Sequence, residues 1–195
     1  MNLEVGVIID LGKTHNKFYI FDNKTENIKK LFIYKNQIKK INKEYVIDLD
    51  KITQQLRSTI LFALKKYKIK YINCCTHGSV TIGLNNKGQV VSKLSDENRY
   101  KKNVNKNFFD LVSNSNGTYT PILSNGYNLL KTIFYLKNFK PKIFDKIKYF
   151  LNYPQYISFY LSNKIASEFS YLGNHSFLWN FKINSFSNLY KKFKL

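Results

Sequence analysis

The stretch that decides the fold is Val5 to Asp22, V-G-V-I-I-D-L-G-K-T-H-N-K-F-Y-I-F-D. Val5, Val7 and Ile9 alternate with Gly6 and Ile8, and the apolar run stops at Asp10. A polar insert from Gly12 to Asn16 follows, after which Phe18, Tyr19, Ile20 and Phe21 resume an extended pattern. Two β-rich runs joined by a short Gly-containing insert read as a hairpin. Its tip places a carboxylate, a glycine, a hydroxyl and two lysines between Asp10 and Lys17. Gly12 lets the backbone approach a ligand closely, and N–H groups in such a turn form an anion-binding nest. Thr14 and Lys17 can donate to phosphate oxygens, and Asp10 can hold Mg²⁺ through its waters. The collection suits a polyphosphate. It also suits an ordinary hairpin with a polar tip and a solvated carboxylate.

The composition narrows the class. A chain of 195 residues, 44% hydrophobic and 16% aromatic, supports one domain with a real core and is not a disordered chain. The longest apolar candidate, Ile60 to Leu64, is broken by Lys65 and Lys66, so no membrane span is expected. Met1-Asn2-Leu3-Glu4 has no basic n-region, so no signal peptide is expected and the location expected is cytoplasmic. The net charge of +20 raises nucleic acid as a partner, but Arg57 and Arg99 are the only arginines. Arginine is the residue of bidentate phosphate and base recognition, so the lysine surface argues against a specific nucleic-acid reader. Cys74 and Cys75 are adjacent and face opposite sides of a strand; with no C-x-x-C and no spaced histidines, they read as reduced thiols rather than zinc ligands.

Outward from the hairpin, Lys30 to Lys35 reads as a third strand. Asp50 is a candidate N-cap, with Ile52, Leu56, Ile60, Ala63, Leu64 and Tyr67 at helical spacing after it. Lys70 to Cys75 reads as a strand, and N-N-K-G at 85–88 between apolar runs as a second hairpin. Lys101 to Gly117 reads as a polar loop with a short helical piece over Phe108 to Val112. Two helices are expected between Pro121 and Asn152, one capped by Asn125 and one started by Pro141 with Phe150 and Leu151 inward.

D-x-G-x-T over Asp10, Gly12 and Thr14, closely followed by Lys17, resembles the first phosphate motif of the FGGY carbohydrate kinase family. The usual family form has Thr directly after Gly; here Lys13 takes that place and Thr14 comes next. Further resemblances follow in family order. Thr76-His77-Gly78 at the end of a strand is similar to the segment that meets the sugar. Ser95 to Arg99, with Asp96, stands where an acid and an arginine occur near the sugar, at altered spacing. Tyr153 to Leu161 resembles the P-x-Y-I helix, with Ser162-Asn163 in place of the usual Thr-Gly. Ile165 to Ser170 resembles the strand after that helix, carrying Glu168, and Gly173 to Asn180 a G-x-H-x-x-L-W stretch of one branch.

The resemblance implies an α/β, ribonuclease-H-like (actin-like ATPase) domain over residues 1–195. It would have a mixed sheet with opening antiparallel strands and flanking helices. It implies ATP and Mg²⁺ as cofactors, with Asp10 catalytic and organising the metal through water. Gly12, Lys13, Thr14 and Lys17 would line the phosphate channel, and Thr76, His77, Gly78, Asp96 and Glu168 would face a ketose-like sugar. The family's catalytic base and second, nucleotide-binding domain are expected beyond Leu195, so the chain reads as the N-terminal half of a kinase, truncated or split. A second polypeptide would then complete it, and Phe177, Leu178, Trp179, Phe181 and Phe186 would lead towards the junction. The alternative is a non-catalytic sugar-binding or regulatory remnant.

Overall fold

The computed structural model describes residues 3–36, 38–78, 80–193 and 195. Ser79, in the stretch after His77, lies outside them. The chain divides into two compact units: 1–39 with 48–77, and 40–47 with 78–195.

The first unit is built on the opening hairpin. Strands β1 (Glu4–Leu11) and β2 (His15–Asp22) pair antiparallel, and β3 (Ile28–Lys35) adds antiparallel to β2. Helix α1 (Leu49–Leu64) then returns the chain so that β6 (Lys68–Thr76) lies parallel to β1, giving the order β3-β2-β1-β6. The period-two pattern read from the sequence is the reason for the layering. Val5, Val7, Ile9 and Leu11 share one face with Phe18 and Ile20, and all six are buried, as are Ile52, Leu56 and Ala63 of α1. Burying each such side chain contributes about 1.5–3 kcal/mol. Asn16, on the same buried face, donates from Nδ2 to Gln55 Oε1 of α1 at 2.9 Å. Asp48, not Asp50, is the N-cap; its carboxylate accepts from the Lys51 amide, and Asp50 lies in the first turn, where an acid complements the helix dipole.

The second unit carries a five-stranded sheet in the order β4-β5-β8-β7-β9. Its strands are β4 (Ile38–Ile41), β5 (Glu44–Ile47), β7 (Thr81–Leu84), β8 (Val90–Leu94) and β9 (Tyr149–Asn152). The turn between β7 and β8 is the expected N-N-K-G hairpin. Asn85 Oδ1 accepts from the amides of Lys87 and Gln89, and Gly88 takes φ +74°, which a residue without Cβ adopts freely. β4 and β5 meet through Asn42 and Lys43, both at positive φ as an inverse turn requires.

Helices α2 (Lys102–Val112), α3 (Leu129–Phe139), α4 (Pro141–Phe144), α5 (Tyr153–Ser162), α6 (Phe169–His175) and α7 (Leu189–Phe193) complete this unit with the short pair β10 (Trp179–Asn180) and β11 (Ser185–Phe186). Its core gathers Phe108, Leu129, Leu130, Ile133, Leu172, Phe177, Leu178 and Phe193. Phe177 and Leu178 are thus interior, whereas Phe181 and Phe186 are exposed and Trp179 is half-buried.

Four expectations are corrected here. The helical piece at 108–112 is a full helix from Lys102, because Val104, Phe108 and Val112 form an i, i+4, i+8 buried stripe. Asn128 precedes α3 instead of Asn125, and its side chain ties down the preceding loop by bonding Pro121 O and the Leu123 amide. The helix begun by Pro141 lasts one turn, and Phe150 and Leu151 belong to β9, paired with β7. Ile165 to Ser170 is not a strand: Glu168 is the N-cap of α6. Among the described residues no helix is long and apolar enough to cross a membrane.

Candidate active site

The hairpin tip is shaped by close backbone packing. Strand pairing sets Asp10 opposite Lys17 and Leu11 opposite Asn16. The Gly12 amide donates to His15 O at 3.0 Å, and a Cβ at Gly12 would come within 2.9 Å of that same carbonyl. Backbone cannot give way as a side-chain end can, so the position needs glycine. The end of β3 clamps the tip: the Asn36 amide donates to Thr14 O at 2.8 Å and Asn36 Nδ2 to Gly12 O at 2.9 Å. Thr14 and His15 are exposed, their Oγ1 and Nδ1 3.2 Å apart, and Lys13 is half-buried.

Asp10 and Lys17 face away from the core, joined by an ion pair with Nζ 2.9 Å from Oδ2. The carboxylate's hydrogen bond holds the Lys17 ammonium above its ordinary pKa. Both side chains keep about a third of their surface in water, so the pair is worth little in stability. β6 adds a neighbour that the sequence did not point to. Parallel register sets Cys75 beside Asp10, with Sγ 3.9 Å from Oδ1 and 3.6 Å from Ile9 O. Burial, and then the nearby carboxylate, push this thiol's pKa up, while burial alone is the main cause that takes Cys74 to about 12. These are poor nucleophiles at neutral pH.

The other candidates divide between the units. Thr76 ends β6 in the first and His77 follows it: Thr76 Oγ1 donates to His77 O at 2.9 Å, and the His77 amide donates to Leu11 O at 2.9 Å. Gly78, Asp96 and Glu168 belong to the second. Gly78 packs on His175, whose ring would lie 3.2 Å from a Cβ added there. Burial lowers the His175 pKa, which keeps the imidazole neutral at pH 7. Asp96 is buried; Ser95 Oγ donates to its Oδ1 at 3.1 Å and the Gly126 amide to its backbone carbonyl at 3.2 Å. Glu168 is exposed but engaged. Its Oε1 accepts from the Ser170 amide at 2.8 Å, and its Oε2 from Ser170 Oγ at 2.6 Å and the Tyr171 amide at 3.0 Å. These bonds hold its carboxyl below the usual range.

A hard divalent cation takes oxygen ligands and keeps several waters when only one or two carboxylates are offered. Among the described residues no group of three or more His, Cys, Asp or Glu gathers as a ligand cage. Asp10 is the one candidate acid at the hairpin tip, and its carboxylate is paired with Lys17.

A family model described as the FGGY family of carbohydrate kinases, N-terminal domain, matches residues 5–190. Among solved structures, a carbohydrate kinase from Novosphingobium aromaticivorans is 21% identical with a TM-score of 0.85, over 98% of this chain and 40% of that one. A ligand-bound xylulose kinase from Lactobacillus acidophilus is 18% identical with a TM-score of 0.76, over 99% of this chain and 40% of that one. A Plasmodium falciparum glycerol kinase with ADP is 18% identical with a TM-score of 0.75, over 98% of this chain and 41% of that one. At such identities the likeness is one of fold, and the fold is the ribonuclease-H-like, actin-like one expected. The chain spans about 40% of the length of these kinases. No curated protein sequence matches it.

Proposed function

Since the chain belongs to the FGGY family of carbohydrate kinases through an N-terminal domain that fills residues 5–190, we propose that it serves ATP-dependent phosphorylation of a ketose-like sugar hydroxyl. The observation that carries this reading is the hairpin tip. A glycine pressed against backbone, an exposed hydroxyl and an Asp–Lys pair stand together on a sheet end. Asp10 would hold Mg²⁺ through water, and bound MgATP would supply the γ-phosphoryl group. Gly12 and Thr14 would face the phosphates. Lys13 and Lys17 would supply positive charge, Lys17 leaving Asp10 for a phosphate oxygen when the cation arrives. In the second unit Gly78, Asp96 and Glu168 would face the sugar, Glu168 using whatever acceptor capacity its capping bonds leave.

Phosphoryl transfer depends on positioning between parts that close on the substrates. The chain spans about 40% of the kinases it matches, and a nucleotide-binding domain, in the same polypeptide or in a second one, is proposed to act with it. The test is an NMR titration of the full chain with Mg²⁺ and pyrophosphate. Shifts should concentrate on the amides of Asp10 to Lys17 and vanish in Asp10→Asn. Shifts elsewhere, or shifts that Asp10→Asn leaves intact, refute the assignment.

A second reading, a non-catalytic sugar-binding or regulatory protein, is favoured by two observations. Asp10 is tied to Lys17, and both carboxylate oxygens of Glu168 are engaged in a helix cap. Sugar binding that is indifferent to Asp10→Asn, with no pyrophosphate response, would select it.

A further inference from the structure

A cavity of about 440 Å³ in the second unit lies between the β4–β5 turn, the start of α2 and the end of α3. None of Gly78, Asp96 or Glu168 lines it. We propose that this cavity is a binding site for an organic anion carrying a planar ring.

Charge is the first argument. Four cations, Lys43, Arg99, Lys101 and Lys140, line the cavity against one carboxylate, Glu44. That carboxylate is already balanced. It accepts from the Tyr135 hydroxyl at 2.9 Å and pairs with Lys140 Nζ at 3.5 Å. Lys43, Arg99 and Lys101 have no ion-pair partner among the described residues and are exposed. Arg99 is one of two arginines in a chain that otherwise uses lysine, and its planar fork is the side chain best suited to an oxyanion.

The backbone adds to this field. α2 begins at the cavity with Lys101 as N-cap, no side-chain cap and no acid in its first turn. The positive end of its dipole therefore has no carboxylate partner in that turn, and of its first amides that of Val104 donates to Asn103 Oδ1 at 2.9 Å.

The wall supplies the ring preference. Tyr100 and Tyr135 lie with centroids 4.7 Å apart, and Tyr135 stacks on Phe139 at 5.8 Å with planes 18° apart. The Tyr100 hydroxyl meets Thr132 Oγ1 at 3.0 Å and the Tyr135 hydroxyl meets Glu44, so both rings are held in place. Phe139 ends the stack 42% exposed, an apolar face beside unpaired cations. A flat ring on Phe139 and a phosphate or carboxylate towards Arg99 would satisfy both, since stacking and charge-assisted hydrogen bonds act on different parts of one ligand.

The test is calorimetric titration of the full chain with 4-nitrophenyl phosphate, and with inorganic phosphate alongside. Saturable binding is expected with Kd below about 1 mM. Arg99→Ala should weaken it about tenfold through loss of a charge-assisted contact. Phe139→Ala should weaken it about fivefold through loss of stacking. Both residues are exposed, so the variants are expected to fold, and Asp10→Asn should leave this binding unchanged. Failure to saturate, indifference to both variants, or equal affinity for inorganic phosphate overturns the proposal. Loss in Asp10→Asn would do the same by moving the ligand to the hairpin. The pyrophosphate response at the hairpin is read separately, so either site can fail without the other.

Discussion

Glu168 gives the sharpest test of how this chain uses its few acids. Replacing it with alanine removes three hydrogen bonds at the start of α6, a helix of seven residues that buries Leu172 and Gly173. Loss of a capping side chain costs roughly 0.5–2 kcal/mol, and a short helix has little propagation to compensate. A loss of about 1 kcal/mol in the second unit is therefore expected at pH 7. The capping bonds, led by that to Ser170, lower the Glu168 pKa from its ordinary 4.5. A depressed carboxyl stabilises the fold above the unfolded value and loses that contribution as pH falls through the folded value. The difference between wild type and Glu168→Ala should accordingly be full at pH 7 and shrink steadily below pH 4.5. The assay is urea unfolding followed by fluorescence of the single tryptophan, Trp179, whose ring packs 5.8 Å from that of Phe169, the first residue of α6. A difference at pH 7 under about 0.3 kcal/mol, well below the capping range, would refute the argument. So would a difference that stays constant on acidification. Sugar affinity measured on the same variant, corrected for stability, separates a capping role from a binding one.

Three further outcomes follow from the packing. Lys131 is fully buried and bonded to the Leu123 carbonyl, and burial lowers its pKa to about 8. At Lys131 the folded chain then binds fewer protons than the unfolded one between about 8 and 10.5, so the stability of wild type relative to Lys131→Met should rise with pH across that window, as denaturant titrations of both at several pH values will show. Asn163 ends α5 at φ +57°, so Asn163→Gly should be tolerated while Asn163→Ala costs about 1–2 kcal/mol, read from thermal melts. Gly12→Ala forces a Cβ onto the His15 carbonyl and should destabilise the first unit by about 1–3 kcal/mol; amide exchange across β1 and β2 no faster than wild type would refute it.

Much of the fold was legible locally. The alternation in β1 and β2, the N-N-K-G turn and the helical spacing of α1 each involve neighbours along the chain, and each formed where expected, except that α1 stops at Leu64, short of Tyr67. Asn163 also explains a departure from the family motif. A helix ending in the left-handed region favours Gly there, and Asn tolerates it. Errors collected where short apolar runs admit either structure. Tyr149 to Asn152 continues a helical spacing from Pro141, yet becomes a strand because β7, far away in sequence, offers it a ladder. Glu168 read as part of a strand and proved to be a cap, because side-chain bonding to amides two and three residues on competes with extended pairing.

The sequence by itself determined the hairpin, its polar tip, the order of motifs and the family they belong to, since these rest on residue type and short-range period. Only the tertiary structure decided what stands beside each candidate residue. Parallel pairing of β1 with β6 brings Cys75 to Asp10, the end of β3 delivers Asn36 to the tip, and Gly78 meets His175. The same holds for the cavity where Arg99 joins Phe139. Each neighbour comes from a segment distant in the chain, joined by closing a loop whose entropic cost grows only slowly with length. Local sequence therefore leaves such partners unspecified until the whole core has packed.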